Sequence, residues 1–403
     1  MQLHSCFSHN RSESEAVAEI AKKLGSDRPA FIVCYYTEEY SVPLLSSALS
    51  GTFSESIIQG CSSFQGVVTD EGYHEGPVVA ILAFFDNSQL AGFGSALEHF
   101  PAKECSQQDI SELAQKTLDR AIEQANRIGE LPSLVILHST IGHEEGLVES
   151  IESRLGGNVN LIGGSAADNN LENKWSILCD NQYSHSGLSV SVLYSSVQSS
   201  TAFSSGHFPT DFQGIATKTS GRTLLEIDGE NASDVYSNWV KAHFSKVVEE
   251  GDYKKLTAIY PLGRVAGEVF GSPYFKLSHP LDITPDGIPL FTNIDEGDRV
   301  HLLAGGKEQL IKRAGMVTQS AINAHPTDIS LFGGVNIFCA GSMSIILDKA
   351  DKVYESMAKA YGNHPFICPF TFGEQGCFIN GENAHGNLMV SSAIFYSKAN
   401  HYE

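Results

Sequence analysis

Three groups of residues have the types and spacing to do chemistry. Cys61 lies in the run Ile57-Ile-Gln-Gly-Cys-Ser62, just after a glycine turn at Gly60 and upstream of His74. A thiolate there would be a nucleophile if a base or a helix N-terminus stabilised it; the position equally suits a small buried side chain at a tight turn. Asp168-Asn-Asn170 follows the Gly163-Gly164 turn. Such side chains commonly bond their own loop backbone, and they can also line a pocket at the carboxyl ends of parallel strands. His207 lies in Ser204-Ser-Gly-His-Phe-Pro-Thr210, with Phe203, Phe208 and Phe212 around it. A neutral imidazole beside an apolar pocket can hold a haem iron; a histidine in a Gly/Pro loop can also simply be exposed.

Familiar catalytic signatures are missing. The chain has no G-x-G-x-x-G or G-x-x-x-x-G-K-[ST] phosphate cradle, no C-x-x-C-H and no G-x-S-x-G elbow. His143-Glu-Glu145 has the wrong spacing for an H-E-x-x-H zinc site. With no nucleophile, base and orienter visible together, the chain reads as a binding protein and not an enzyme.

Composition narrows the class. The 403 residues carry 26 Lys+Arg and 47 Asp+Glu, a net charge of −21. That charge repels nucleic acid and anionic membrane. The longest apolar run, 78–85, is far short of the roughly 20 residues needed to span a bilayer. The opening MQLHSCFSHNRSESE has no apolar signal region. Eight scattered cysteines without a C-x-x-C pair read as reduced thiols, so a cytoplasmic location is expected.

The elements that must position these residues recur. Val17, Ile20, Ala21 and Leu24 mark a helix, with Ser12 and Glu15 as a capping box and Gly25 as its stop. An apolar strand at 31–36, a helix near 40–50, the strand ending at Gly60 and a strand from His74 to Leu82 follow. The same order returns over 110–193 and, more loosely, over 310–394. The last strand of each copy opens with a histidine: His74, His185 and His385, followed two places on by Gly76, Gly187 and Asn387. Equivalent strand entrances, with each imidazole bonding a turn, account for these better than one shared metal site. The alternation predicts an α/β protein with mixed, mainly parallel sheets and hairpin strands added after each glycine turn. Residues 196–304 break the pattern. We divide the chain into domains 1–225 and 226–403.

Gly60-Cys-Ser-Ser63, Leu161-Ile-Gly-Gly-Ser-Ala-Ala-Asp168, Leu224-Leu-Glu-Ile-Asp-Gly-Glu-Asn-Ala-Ser-Asp-Val-Tyr236, Pro261-Leu-Gly263, Ile337-Phe-Cys-Ala-Gly341 and Phe372-Gly-Glu374 together resemble the FIST family in order and spacing, over roughly 30–395. The resemblance implies a FIST N-terminal and a FIST C-terminal domain in a cytosolic sensory module that binds a small ligand. It further implies a partner histidine kinase or cyclic-di-GMP enzyme. The stand-alone form is similar to the nitric-oxide-sensing (NosP) branch, which binds haem. On that reading haem b is the cofactor, His207 is its metal ligand, and Phe203 and Phe208 flank it, since His207 falls in the glycine-bearing loop before the Ile215-Ala-Thr-Lys218 strand. Gly60, Cys61, Gly164, Asp168 and Asn169 are the expected ligand-binding residues. A module for an amino acid without haem is the alternative, and a thiol enzyme through Cys61 a third. A homodimer is compatible with all three.

Overall fold

A computed structural model describes all residues except 102–104, 158, 244–252, 270, 325–328 and 399–403. Three copies of one unit build the body. The first runs β1 (Gln2–Ser8), α1 (Glu13–Leu24), β2 (Phe31–Tyr36), α2 (Val42–Thr52), β3 (Ile57–Ser62), β4 (Gly66–Thr69), β5 (Gly72–Glu75) and β6 (Val79–Phe85). The second repeats this order as β7 (Gly92–His99), α3 (Gln107–Gln124), β8 (Leu134–Ser139), α4 (Glu144–Leu155), β9 (Leu161–Ser165), β10 (Ile177–Cys179), β11 (Gln182–Ser184) and β12 (Gly187–Tyr194).

The third copy opens with β13 (Gln198–Ser205) and is then interrupted. The interruption comprises β14 (Phe208–Ser220), β15 (Thr223–Ile227), β16 (Glu230–Asn231), α5 (Ala232–His243), α6 (Tyr253–Ile259), β17 (Leu262–Val269), β18 (Ser272–Ser278), β19 (Ile288–Pro289) and β20 (Arg299–Ala304). The copy resumes with α7 (Lys307–Asn323), β21 (Ile329–Cys339), α8 (Ala340–Ile346), α9 (Ala350–Tyr361), β22 (Phe366–Thr371), β23 (Glu374–Cys377), β24 (Asn383–Gly386) and β25 (Met389–Lys398).

Each unit gives its hairpin to a neighbour. The sheets run β1-β6-β2-β3-β10-β11, β7-β12-β8-β9-β23-β24 and β13-β25-β21-β22-β4-β5. The second unit's hairpin thus completes the first sheet, the third completes the second, and the first completes the third. Each of these sheets has one parallel pair: β2 with β3, β8 with β9, and β21 with β22. The expected α/β class and added hairpins are present, but the sheets are mixed and mostly antiparallel. Only one helical crossover per sheet joins neighbouring strands, and the other ladders close by antiparallel return. The interrupting segment forms its own antiparallel sheet, β16-β15-β14-β20-β17-β18, with β19 on β15.

Burial explains the apolar runs. The inner faces of the three sheets meet in one core, which gathers Phe31, Val33, Ile136, Ile162, Val335 and Ile367. Helices cover the outer faces: α1 and α2 through Ile20 and Leu45, α3 and α4 through Leu118 and Leu147, and α7 and α9 through Val317 and Met357. A strand covered on both faces is apolar at every position and shows no alternation. Two local expectations change. Ser12 makes no capping bond to α1, and Glu15 instead accepts from Asn10 at 2.9 Å. The strand expected from His74 to Leu82 divides into β5 and β6 around Pro77, which has no N–H to give a ladder.

Candidate functional site

The carboxyl ends of β3, β9 and β22 are tied to one another. Ala167 donates to the Ser62 carbonyl at 3.0 Å, Phe64 to Phe370 at 3.0 Å, Ser165 to Gly373 at 2.9 Å and Phe372 to Ser165 at 2.9 Å. Over this junction lies a cavity of about 290 Å³. Its floor is Phe64, Phe372 and the loop Asn169, Asn170 and Leu171; one wall is Cys339 to Gly341 with Ser344 and Asn387. Thr257, His279, Leu281 and Phe291, all from the interrupting segment, close the other side. Three parts of one chain must therefore assemble before the cavity exists.

Asp168 builds the floor without entering it. Its carboxylate accepts from the backbone N–H groups of Asn170, Leu171, Glu172 and Lys174 at 2.5 to 3.2 Å. Four such bonds hold a tight loop in which Leu171 takes a left-handed φ of 59°. Asn169 is fixed from both sides: its N–H donates to Glu38 at 2.6 Å and its Oδ1 accepts from the Gln65 N–H at 2.8 Å. The two readings of the Asx cluster are divided among its members. Asp168 satisfies the loop, while Asn169 and Asn170 line the pocket.

The walls are polar but uncharged. His279 is half-buried, with its Nε2 facing the Thr257 hydroxyl at 3.3 Å. Burial pushes its pKa down to about 3, and nearby His207 adds to this, so the imidazole is neutral near pH 7. Burial likewise pushes the Cys339 thiol well up, reinforced by Glu374, against the pull of the N–H groups of Gly341, Ser342 and Leu388. Glu374 lies behind Cys339. It accepts from the Met389 N–H at 3.0 Å and from the Thr371 hydroxyl at 3.2 Å, and complete burial raises its pKa well above the usual carboxylate range. Among the described residues, no Asp, Glu, Lys or Arg lines the cavity.

The other expected residues lie elsewhere. Gly60 is inside β3, where a side-chain carbon would stand 1.8 Å from the Cys34 carbonyl oxygen. Gly164 packs in the same way on Thr371, at 2.6 Å. Both glycines permit strand contact and neither reaches the cavity. Cys61 is fully buried in the shared core, and desolvation raises its thiol pKa far above the ordinary value. His74 is held elsewhere, bonded to Thr69 at 2.8 Å and stacked on Phe7, so it is not placed as a base for Cys61.

The residues at His207 do not fit a haem. Its imidazole is buried, with Nε2 donating to the Ala258 carbonyl at 2.8 Å. Nδ1 is also buried and has no partner, but Gly305 packs so closely that a carbon added there would be 2.5 Å from the ring. Phe203 is packed in the core against Phe378, and Phe208 is 52% exposed under Arg313. Phe203 and Phe208 thus face different surroundings, one the core and the other the surface, and do not flank the ring as a pair.

Phe64, His279, Phe291, Cys339, Phe372 and Asn387 escaped selection. Several carried a signal. Cys339 and Phe372 stand inside the motifs Ile337-Phe-Cys-Ala-Gly341 and Phe372-Gly-Glu374, and Asn387 is where the third copy departs from Gly76 and Gly187. His279 and Phe291 had none, because they reach the pocket from a segment outside the repeat.

The FIST N domain family model matches residues 30–230, and the FIST C domain model matches residues 232–377. No curated protein matches the chain. Among solved structures, the crystal structure of cyanuric acid hydrolase from A. caulinodans is 10% identical over 97% of this chain and 98% of its own, at a TM-score of 0.36. PurLQS from Thermotoga maritima is 8% identical over 98% of this chain and 73% of its own, at 0.22. At these TM-scores neither likeness carries an argument about this protein. Among the described residues, no helix is long and apolar enough to cross a membrane.

Proposed function

The chain belongs to the FIST family, whose domains are signal-transduction sensor domains that bind small ligands, and from this premise we propose that it senses a small, uncharged metabolite with a flat apolar ring and polar edges. One observation carries the reading: the strand-end cavity combines Phe64, Phe291 and Phe372 with the amides of Asn169, Asn170 and Asn387, and none of its lining side chains is ionised. Aromatic rings offer stacking faces, and amides and hydroxyls offer both donors and acceptors. Its volume of about 290 Å³ falls at the small end of ligand sites, which span roughly 300–1,000 Å³. A zwitterionic amino acid would lose hydration at two charges and meet no opposite charge in return. His207, the haem ligand that the resemblance implies, is outside the cavity.

The pocket is a binding site and not a catalytic one on this reading. Burial raises the pKa of both the Cys339 thiol and the Glu374 carboxyl, which disfavours the thiolate a nucleophile needs and the carboxylate a base needs. The signal passes to a partner protein of the histidine-kinase or cyclic-di-GMP class. For this to work, the ligand must bind two arrangements of the pocket unequally. Residues of the interrupting segment form one wall, so closure of that wall is the arrangement the ligand favours.

A thermal-shift screen tests the reading. Uncharged heteroaromatic metabolites, amino acids and haemin are compared on the full chain, then on Asn169→Ala and Asn387→Ala. A ligand at a hundredfold over its Kd stabilises by about 2.7 kcal/mol. The expected hits are uncharged ring compounds whose effect falls in both variants. Stabilisation by amino acids alone, or by haemin alone, would overturn it.

A further inference from the structure

A second cluster lies outside the pocket. Glu144 and Glu145 open α4, and His385 comes from β24, the third unit's hairpin that completes the second sheet. One ligand atom from each of the three lies within 4.8 Å of the others. All three residues are buried: the glutamate side chains are 2% and 7% exposed, and His385 is 1% exposed. Glu144 accepts from the Ser165 hydroxyl at 3.1 Å and the Gly142 N–H at 3.0 Å, and Glu145 from the Asn293 N–H at 2.7 Å. These bonds orient both carboxylates, as the second shell of a metal site does. The Nδ1 of His385 faces the Gln375 side-chain amide at 3.3 Å, and its Nε2 is buried without a partner.

Arg222 is the cation now present. Its guanidinium, from the turn between β14 and β15 of the interrupting segment, bonds Glu144 at 2.9 Å and Glu145 at 2.5 Å, and its side chain is 25% exposed. Among the described residues, Lys276 also acts electrostatically on Glu145, and no hydrogen bond joins it to either carboxylate. One guanidinium bridges two buried carboxylates and leaves the imidazole nitrogen unsatisfied. Such an orphaned group is expensive to bury. A divalent ion could satisfy all three at once, with Arg222 turning out to the solvent that already reaches it.

We propose that Glu144, Glu145 and His385 form a binding site for a divalent cation of the zinc class, in competition with the Arg222 guanidinium. Two carboxylate oxygens and an imidazole nitrogen are the ligands that zinc and similar ions take, with a water completing four-coordination. Bonds of roughly 2.0–2.2 Å would draw the three atoms closer together. The site would fasten α4 to the hairpin exchanged from the third unit. It does not depend on the pocket reading.

Chelator-stripped full-length protein is titrated with Zn²⁺ by calorimetry, and bound zinc is measured after gel filtration. Circular dichroism checks that each variant is folded. The expected result is one zinc per chain, with affinity falling at least tenfold in His385→Ala and in Glu145→Gln. Arg222→Met should bind zinc as tightly as the wild type or more so, because the competing cation is gone. A purely structural ion pair predicts the opposite for Arg222→Met: lower stability and no zinc binding. Absence of stoichiometric zinc in the wild type, or affinity unchanged in both His385→Ala and Glu145→Gln, would overturn the proposal.

Discussion

The loop at 168–174 and the loop around His207 look alike as sequence: each follows glycine, and each presents polar groups beside apolar residues. Their fates differ. In the first, Asp168 takes four backbone N–H groups, and its neighbours Asn169 and Asn170 are left facing a cavity. In the second, the imidazole is sealed against Gly305 and bonded to the Ala258 carbonyl. A polar loop residue becomes available to a ligand when another residue organises the loop and the surrounding elements leave room. Neither condition is local.

The largest test of this contrast is Asp168→Ala. Hydrogen bonds to a charged acceptor are each worth about 1.5–3 kcal/mol and are not additive, so a loss of about 3–5 kcal/mol in urea unfolding is expected, with ligand binding abolished. Retained binding would mean that the loop does not need its organiser. The second test is acid stability. His207 has its pKa pushed down to about 4 and His279 to about 3, both chiefly by burial. Both stay neutral in the folded chain but take up protons near 6.5 when unfolded, so stability falls as pH drops from about 6.5 towards 4. His207→Phe should flatten that acid limb by about 1–3 kcal/mol in unfolding measured at pH 5 against pH 7.

Glu374 sharpens the comparison from the alkaline side. Its pKa is raised by burial, so the folded state holds a proton the unfolded chain releases above about 4.5. Stability from this group is therefore present at low pH and lost as pH rises through the folded value. Glu374→Gln should gain on the wild type progressively between pH 5 and 8, read by the same unfolding curves. Asn387→Ala should change stability little, by about 1 kcal/mol, yet weaken the pocket ligand about tenfold in a binding titration. The smallest effect is expected at the second loop: His207→Ala should leave a haemin titration indistinguishable from the wild type, with no saturable one-to-one Soret band in either. A sharp band lost in the variant would reverse the comparison.

Much of the scaffold was legible. The runs 31–36, 134–137 and 335–339 gave the central strands, and the spacing in 110–125 and 310–321 gave the helices, because burial on both faces or on one stripe leaves its mark on neighbouring residues. The recurrence of His74, His185 and His385 marks the hairpin of each copy and not the start of its last strand: His74 lies in β5, His385 in β24, and only His185 falls between β11 and the last strand β12. The leading strands β1, β7 and β13 were not legible: Gln2–Ser8 and Gln198–Ser205 are half-polar edge strands. Asn169, singled out by its glycine turn, lines the candidate cavity, whereas Cys61 faces the shared core, which nothing in Gly60-Cys-Ser-Ser63 reveals.

The sequence by itself determined three copies of a helix–strand unit, an acidic protein of free thiols and an interrupting segment between the second copy and the remainder of the third. Only the tertiary structure decided where the hairpins go and therefore where the site is. The reason is the range of the interactions. Hydrophobic periodicity is written within a dozen residues, but the floor of the pocket is tied together through bonds such as Phe64 to Phe370 and Ser165 to Gly373. Those partners are chosen by how three sheets share one core, and no local pattern of residues records that choice.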